Sequence, residues 1–456
     1  MSSITDRAPL ARLAAVLVPG ALLALLATTV AGGATSAITA DLGVDLVAGA
    51  WVTTSFLIAA AVGIALSGWL TDRWGVRTAW LAALGVFTAG GLASALAPDL
   101  TALTLARAVQ GLGGGALEPI MLTALARAAG PGRMGRVMGT VGATMSLGPL
   151  LGPLAGSSLG DVMGWRWVLG AVAVLALAVL IASVVVLPVD RGEPSRLDLR
   201  GLLLLGGGSM LSLAGFARVG QIAGVDVTTV LLVLLGATLL VAYVRHAALR
   251  GPDAVVDLSP FSDRGFAPAV TIMGLLGAAI YPVFFGMPQF LVGAVGLSAT
   301  QAGLVMLPFG AGTLLAMPLA GSLSDRVPAT RLVVGGALLG GCGFAALAAG
   351  GPDSGVAVAV TTFVVGLGLG SIGGPTVSSL YRVLDPGQVG AGSATLFVVN
   401  QLGGALGVAV LVVWIGALGG TWDAAVGGRP FWAAVVTAAV VAVVATRLPR
   451  AQSTSP

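Results

Sequence analysis

A run of about 20 apolar residues is long enough to cross a hydrocarbon core as a helix. This chain of 456 residues contains fourteen such runs, at 13–35, 50–70, 78–97, 101–125, 137–159, 166–187, 199–217, 227–246, 266–291, 299–321, 331–350, 355–380, 391–417 and 430–447. They are too long and too uniformly apolar for barrel strands, which alternate over roughly ten residues. Helices are then the only way to satisfy the backbone in lipid. With 57% hydrophobic and 9% charged residues, no polar surface is left for a water-soluble domain. The first run imitates a signal peptide, with Arg7 and Arg12 ahead of it; its length and the thirteen runs behind it favour a retained helix.

Every basic residue is arginine. With the N-terminus inside, eighteen of the twenty-two arginines fall on cytoplasmic loops and tails, leaving Arg166, Arg218 and Arg429 outside and Arg107 within a span. The positive-inside rule therefore places both termini in the cytoplasm. The net charge of +4 reports that topology and gives no support to a nucleic-acid partner. Arginine without lysine, beside abundant Ala and Gly, points to a GC-rich and bacterial genome and hence to the bacterial cytoplasmic membrane. Cys342 and His246 are each the only residue of their type, which argues against a disulfide framework or a metal site; no cofactor is implied.

The loop after the second run, Gly68-Trp69-Leu70-Thr71-Asp72-Arg73, recurs as Gly321-Ser322-Leu323-Ser324-Asp325-Arg326 after the tenth, 253 residues and eight runs later. Two six-helix halves would separate matching loops by six runs, so two additional helices lie between them, and runs 7 and 8 are the natural insertion. The expected organisation is a six-helix bundle over 1–190, a linker over 191–250 carrying the inserted pair, and a second six-helix bundle over 251–456.

One acid stands inside an apolar run. Glu118 is in the fourth, and an unpaired charge there is expensive and usually functional. Arg107 precedes it by eleven residues, about 1100° at 100° each, so the two side chains share nearly one helix face about 16 Å apart. That spacing fits two stations along one cavity, with Gly111 and Gly114 leaving room beside them.

Several motifs resemble those of the major facilitator superfamily. Gly68-x-Leu70-x-Asp72-Arg73-x-Gly75-x-Arg77 resembles its signature loop, with Val76 in place of one basic residue. The resemblance implies a conformational latch carried by Asp72, Arg73 and Arg77, with Asp325 and Arg326 in the second copy. Asp72 is suited to cap a helix N-terminus. Arg107-x-x-Gln110-Gly111 resembles the family's fourth-span motif, in which a buried arginine is linked to proton transfer. Gly139, Gly148, Gly152-Pro153 and Gly156 reproduce the spacing G-x8-G-x3-G-P-x2-G of its exporters and antiporters, with Ser157 replacing the last glycine. Trp165-Arg166-Trp167 follows as in the fourteen-span drug:proton antiporters. In the first span, Ala27 stands where the family carries a membrane-embedded aspartate, and Gly32 and Ser36 replace its usual asparagine and proline.

The resemblance covers essentially the whole chain and implies an all-α integral membrane protein of fourteen helices. Two six-helix halves would rock about a central site, exporting amphiphilic small molecules in exchange for protons with Glu118 and Arg107 in the coupling. A single chain suffices for a pathway, so the monomer is the expected functional unit in the lipid bilayer. Because runs of the second half hold no acid, neutral or weakly polar cargo is favoured over dications. Candidate cavity residues are Thr28, Phe56, Gln110, Met145, Tyr281, Phe284, Gln289, Phe397, Asn400 and Gln401. A proton-independent facilitator, or an exporter of lipid or a secreted metabolite, is the alternative that Ala27 keeps open. An enzyme would need paired carboxylates, a His/Cys cluster or a nucleophile beside a base, and a sensor would need a soluble signalling domain.

Overall fold

The structure is a computed structural model and describes residues 10–129, 144–145, 147–192, 197–222, 226–251, 254–256, 258, 265–324, 326–349, 355–381, 389–418, 422 and 426–448. Gly139 and Asp325 lie outside the described residues. Among those described there are helices and turns but no strand.

Span 1 is Leu10–Gly33, spans 2 and 3 share the helix Trp51–Ala95, and span 4 is Leu100–Ala129. The described part of span 5 runs through Leu147–Leu154, a π-helical turn at Ala155–Leu159 and Gly160–Met163. Span 6 is Trp165–Val186, and the inserted spans 7 and 8 are Leu199–Ile222 and Val227–Arg250. Spans 9 to 13 are Phe266–Gly293, Ala299–Leu323, Ala329–Ala348, Gly355–Tyr381 and Val389–Ala417, and span 14 is Trp432–Ala445. Nine described helices are long and apolar enough to cross a bilayer unaided, one of them joining spans 2 and 3. In their described residues all fourteen expected segments are helical.

Spans 2 and 3 separate at Gly75, whose φ of 80° is open to glycine at little cost. The reason for the turn is a side chain from elsewhere. Asp190, just beyond span 6, accepts hydrogen bonds from the Val76 and Arg77 amides at 2.6 and 3.0 Å. A Cβ on residue 75 would meet that carboxylate at 2.8 Å. Arg77 donates to the Val184 carbonyl at 2.7 Å, and Trp80 donates from its indole to Ser183 at 3.0 Å. The cap anticipated from Asp72 is thus supplied by Asp190, because the chain end of span 6 returns beside the exposed amides of span 3.

The opposite end of the first half is tied by another carboxylate. Asp41, in the short helix Thr35–Leu42 that prolongs span 1, pairs with Arg166 and accepts the Trp165 indole N–H at 3.0 Å. Arg166 lies over the Trp165 ring, 4.2 Å from its centroid, and donates to the Ala97 carbonyl at 3.2 Å. The Trp165-Arg166 pair therefore fastens the far ends of spans 1, 3 and 6 together.

The halves meet with the repeat offset preserved. Ser36 donates to Gln289 at 2.8 Å, a pair 253 residues apart, and a Cβ on Gly32 would meet the Phe284 carbonyl at 2.6 Å. Spans 5 and 10 meet at the same end, where the Ser158 hydroxyl and the Leu154 backbone stand about 3 Å from a Cβ on Gly303. A small gap between Trp51 and Thr54 of span 2 and Ala409 and Val412 of span 13 marks the third seam.

Arg166 and, second, Trp165 hold the Asp41 carboxyl below its ordinary value. A depressed carboxylate contributes its stabilisation above the unfolded pKa of about 3.9 and loses it as pH falls through the folded value. Thermal unfolding of purified wild type and Asp41→Asn should accordingly differ near neutrality, with the wild type higher, and converge below about pH 4. Parallel curves across that range would remove Asp41 from the clamp.

Candidate functional site

Arg107 is fully buried. Its Nε donates to the Val52 carbonyl at 3.1 Å, one terminal nitrogen to the Ala27 carbonyl at 3.2 Å and the other to Gln110 Oε1 at 2.5 Å. The guanidinium also lies over Phe56, 4.4 Å from the ring centroid. All of these partners are neutral. A central arginine costs about 2.5–3.5 kcal/mol on insertion scales, and hydrogen bonds to a charged group contribute about 1.5–3 kcal/mol each. Three such bonds and a cation–π contact offset the cost without a carboxylate. Ala27, where the family places an acid, thus contributes its backbone oxygen.

Two expectations change at this point. Among the described residues Arg107 is enclosed, its hydrogen-bond fork taken up by spans 1 and 2 and by Gln110 of its own span. Gly111 and Gly114 do not leave free room. Gly111 is pressed against the Phe56 backbone, and a Cβ on Gly114 would meet the rings of Phe56 and Phe87 at 3.1 Å. Gln110 and Phe56, considered as cavity residues, serve instead as acceptor and stacking surface for Arg107.

Glu118, three turns along the same helix, differs from Arg107 in keeping some accessible surface. The next residue, Pro119, lies inside the span and leaves the Gly115 carbonyl without its usual intrahelical donor. From the second half, Tyr281 comes within electrostatic reach of Glu118 and stands beside Gln401. A Cβ on Gly404 would strike the Tyr281 ring, so that glycine makes the space the ring fills. Tyr281 continues edge-to-face into Phe284, with centroids 6.1 Å apart, and Phe284 into Phe309 at 5.7 Å.

The remaining nominated residues divide. Gln289 holds Ser36 through its oxygen while its side-chain nitrogen has no partner among the described residues, and the oxygen of Gln401 is likewise unpartnered. Both face the meeting of the halves or lie beside Tyr281. Asn400 donates to the Met273 carbonyl at 2.9 Å and so fastens span 13 to span 9. Thr28 bonds within its own helix, to Ala24 at 3.3 Å. Met145 is buried in the main apolar cluster, and Phe397 packs against a cluster shared by spans 2, 7, 8 and 13.

The span 5 glycines share one task. A Cβ on Gly148 would meet Leu25 at 2.6 Å, one on Gly152 would overlap Thr29, and one on Gly156 would overlap the Val30 carbonyl. Thr29 in turn donates to the Gly148 carbonyl at 3.3 Å. Residues spaced by four lie on one face, so the motif brings span 5 against span 1 along three turns. The π-helical turn that follows adds a residue to the cycle, and Ser157, the departure from the motif, is there turned towards Gly303 of span 10.

Sequence reasoning missed Asp190 and Asp41, whose partners are more than a hundred residues away. It passed over Pro119, although its place beside Glu118 is visible in the sequence. Arg73 and Asp72 are exposed in the first copy of the repeated motif, their carbonyls covered by Gly192, and Arg326 is exposed in the second.

Comparison with known proteins agrees with this architecture. A family model described as Major Facilitator Superfamily matches residues 17–408 and 269–456. A multidrug resistance protein B homolog of Mycobacterium tuberculosis is 34% identical over 89% of this chain and 76% of its own length. The puromycin resistance protein of Streptomyces alboniger is 31% identical over 87% of this chain and 80% of its own. A solved peptide transporter in complex with sulfate superimposes with a TM-score of 0.71 at 17% identity, covering 97% of each chain. The chain belongs to the major facilitator superfamily.

Replacing Gly152 with Ala forces a methyl into Thr29 and should cost about 1–3 kcal/mol as overpacking. Gly160→Ala, whose Cβ would sit 3.6 Å from its nearest neighbour, should leave the melting temperature of the purified protein unchanged or raise it. Equal tolerance of both substitutions would show that the glycine face does not set the approach of spans 1 and 5.

Proposed function

We propose that this major facilitator superfamily member is a secondary active exporter of amphiphilic small molecules, driven by protons taken up and released at Glu118. The observation that carries the reading is that the one acid inside the apolar runs keeps accessible surface and lies within electrostatic reach of Tyr281 of the other half. A carboxylate at the boundary between two moving bodies changes its surroundings as they rock, which is what coupling a proton to a conformational change requires.

The positive-inside distribution puts the latch end in the cytoplasm, and with it both termini, in a bacterial cytoplasmic membrane. The ends tied by Ser36–Gln289 and by spans 5 and 10 then face outward, and the arrangement is one closed to the outside. Protonation of Glu118 from outside accompanies substrate release there; loss of the proton inward resets the site for cytoplasmic substrate. One chain supplies the whole pathway and works as a monomer.

The cargo class follows from what surrounds the acid. Aromatic rings and amides from Tyr281, Phe284, Gln289 and Gln401 suit a mostly apolar molecule with a few hydrogen-bonding groups. No acid stands in the apolar runs of the second half, so a dication would lack a counter-charge. Relatives named for resistance to puromycin and for tetracenomycin C and cephamycin export support antibiotic-like amphiphiles as the class. The proton-independent facilitator remains a second reading because Ala27 replaces the family's acid.

Everted membrane vesicles separate the two. With a proton gradient imposed, wild type should accumulate puromycin or the neutral dye Nile red above the equilibrium level. Glu118→Gln should only equilibrate them, because an amide cannot carry the proton. Uphill accumulation by Glu118→Gln equal to wild type would remove Glu118 from the coupling, and a wild type that never exceeds equilibrium would favour the facilitator.

A further inference from the structure

The inserted spans 7 and 8 are joined to one another closely. Gly208 and Gly236 face across their contact, a Cβ on Gly208 lying 2.9 Å from Leu240 and 3.0 Å from the Gly236 carbonyl. At the far end Arg218 and Asp226 form an ion pair at 2.7 Å, and Asp226 also caps span 8 through the Thr229 amide at 2.8 Å. Arg218 first, then Thr229, hold the Asp226 carboxyl well below the usual carboxylate range. The pair is therefore a stiff hairpin.

Its latch end is held by two buried polar groups. Asp198 is 4% exposed and accepts hydrogen bonds from the Gly201 amide at 3.0 Å and the Val255 amide at 3.4 Å, and its carboxylate lies 2.7 Å from His246 Nε2. Tyr243 exchanges hydrogen bonds with Val256, donating to its carbonyl at 3.0 Å and accepting from its amide at 2.9 Å. Burial pushes the Asp198 carboxyl up, but the Gly201 amide, His246 and the Val255 amide together hold it below its ordinary value. These bonds run from both inserted helices to the segment 254–256, the chain that leads into span 9.

Against the two halves the hairpin makes apolar contact. Leu205, Tyr243, Ala247 and Val256 form one buried cluster with Val398 of span 13 and with Ala61, Ile64 and Ala65 of span 2. Among the described residues no hydrogen bond or ion pair joins the hairpin to span 2. Its surface there is apolar, and a Cβ on Gly206 would lie 3.3 Å from Val62. A contact without directional bonds can slide, whereas the bonds to 254–256 cannot be broken without stranding a buried carboxylate and hydroxyl.

We infer that spans 7 and 8 travel with the second half during transport and slide over span 2, with Asp198, His246 and Tyr243 as the clasp that binds them to it. The hairpin then lies across the latch-end seam between span 2 and span 13 and shields it from lipid as the seam moves. This rests on the alternating-access reading above.

A covalent staple tests it. In a Cys342→Ser background, Gly206→Cys with Val62→Cys places two thiols within disulfide reach. Oxidation should bring Nile red efflux from cells to the background level, and reduction should restore it. Full efflux with the cross-link complete by mass spectrometry would overturn the inference, since the hairpin would then move with span 2. Two other results are read by hydrogen exchange: no efflux by the Cys342→Ser parent, which counts against the export reading, and no efflux by the reduced pair alone. In either case Asp198→Asn should raise exchange together over 197–212 and 254–256 and leave 58–66 unchanged. Exchange that rises over 58–66, or that does not change in the clasp, overturns the inference.

Discussion

Hydrocarbon offers no partner to a polar group, so each charge inside this bundle must be matched by the protein or left for function. Arg107 shows the first outcome. Its guanidinium binds the carbonyls of Ala27 and Val52 and the amide of Gln110, and lies over Phe56. One side chain thereby fixes spans 1, 2 and 4 relative to one another. The glycine face of span 5 and the contacts with span 9 are then built on span 1, so the meeting of the two halves inherits the position that Arg107 sets.

Glu118 is set differently. On the same helix and nearly the same face, it has Pro119 behind it and Tyr281 from the other half before it, and some of its surface remains accessible. The difference between the two groups is structural: the partners of Arg107 all belong to one half, whereas Glu118 comes within electrostatic reach of Tyr281 from the other. A charge enclosed in a rigid body keeps its surroundings as the body moves. A charge at a moving boundary does not.

Much of this was legible in the residues. Span number, the repeat offset of 253, the inserted pair and the span 5 glycines follow from hydropathy and spacing, which are properties of local sequence. The offset even returns in space, as Ser36 against Gln289. What could not be read was which distant group completes each local motif. Asp190, not Asp72, caps span 3; Asp41 completes Trp165-Arg166; Gln110 and Phe56 belong to Arg107 and not to a cavity. Apart from Gln110, which shares the Arg107 helix, each of these depends on a group arriving from a distant part of the chain, and no periodicity reports it. His246, unremarkable as a lone histidine, acquires a partner only when the start of span 7 is brought beside the end of span 8.

The central claim is that substrate and proton compete through Glu118, and linkage makes it measurable without a membrane. Purified protein in weakly buffered detergent near neutral pH, mixed with substrate in the presence of a pH indicator, should release protons in proportion to substrate bound. Glu118→Gln should bind without release. Binding by the wild type with no proton released, or equal release from both proteins, would contradict the account.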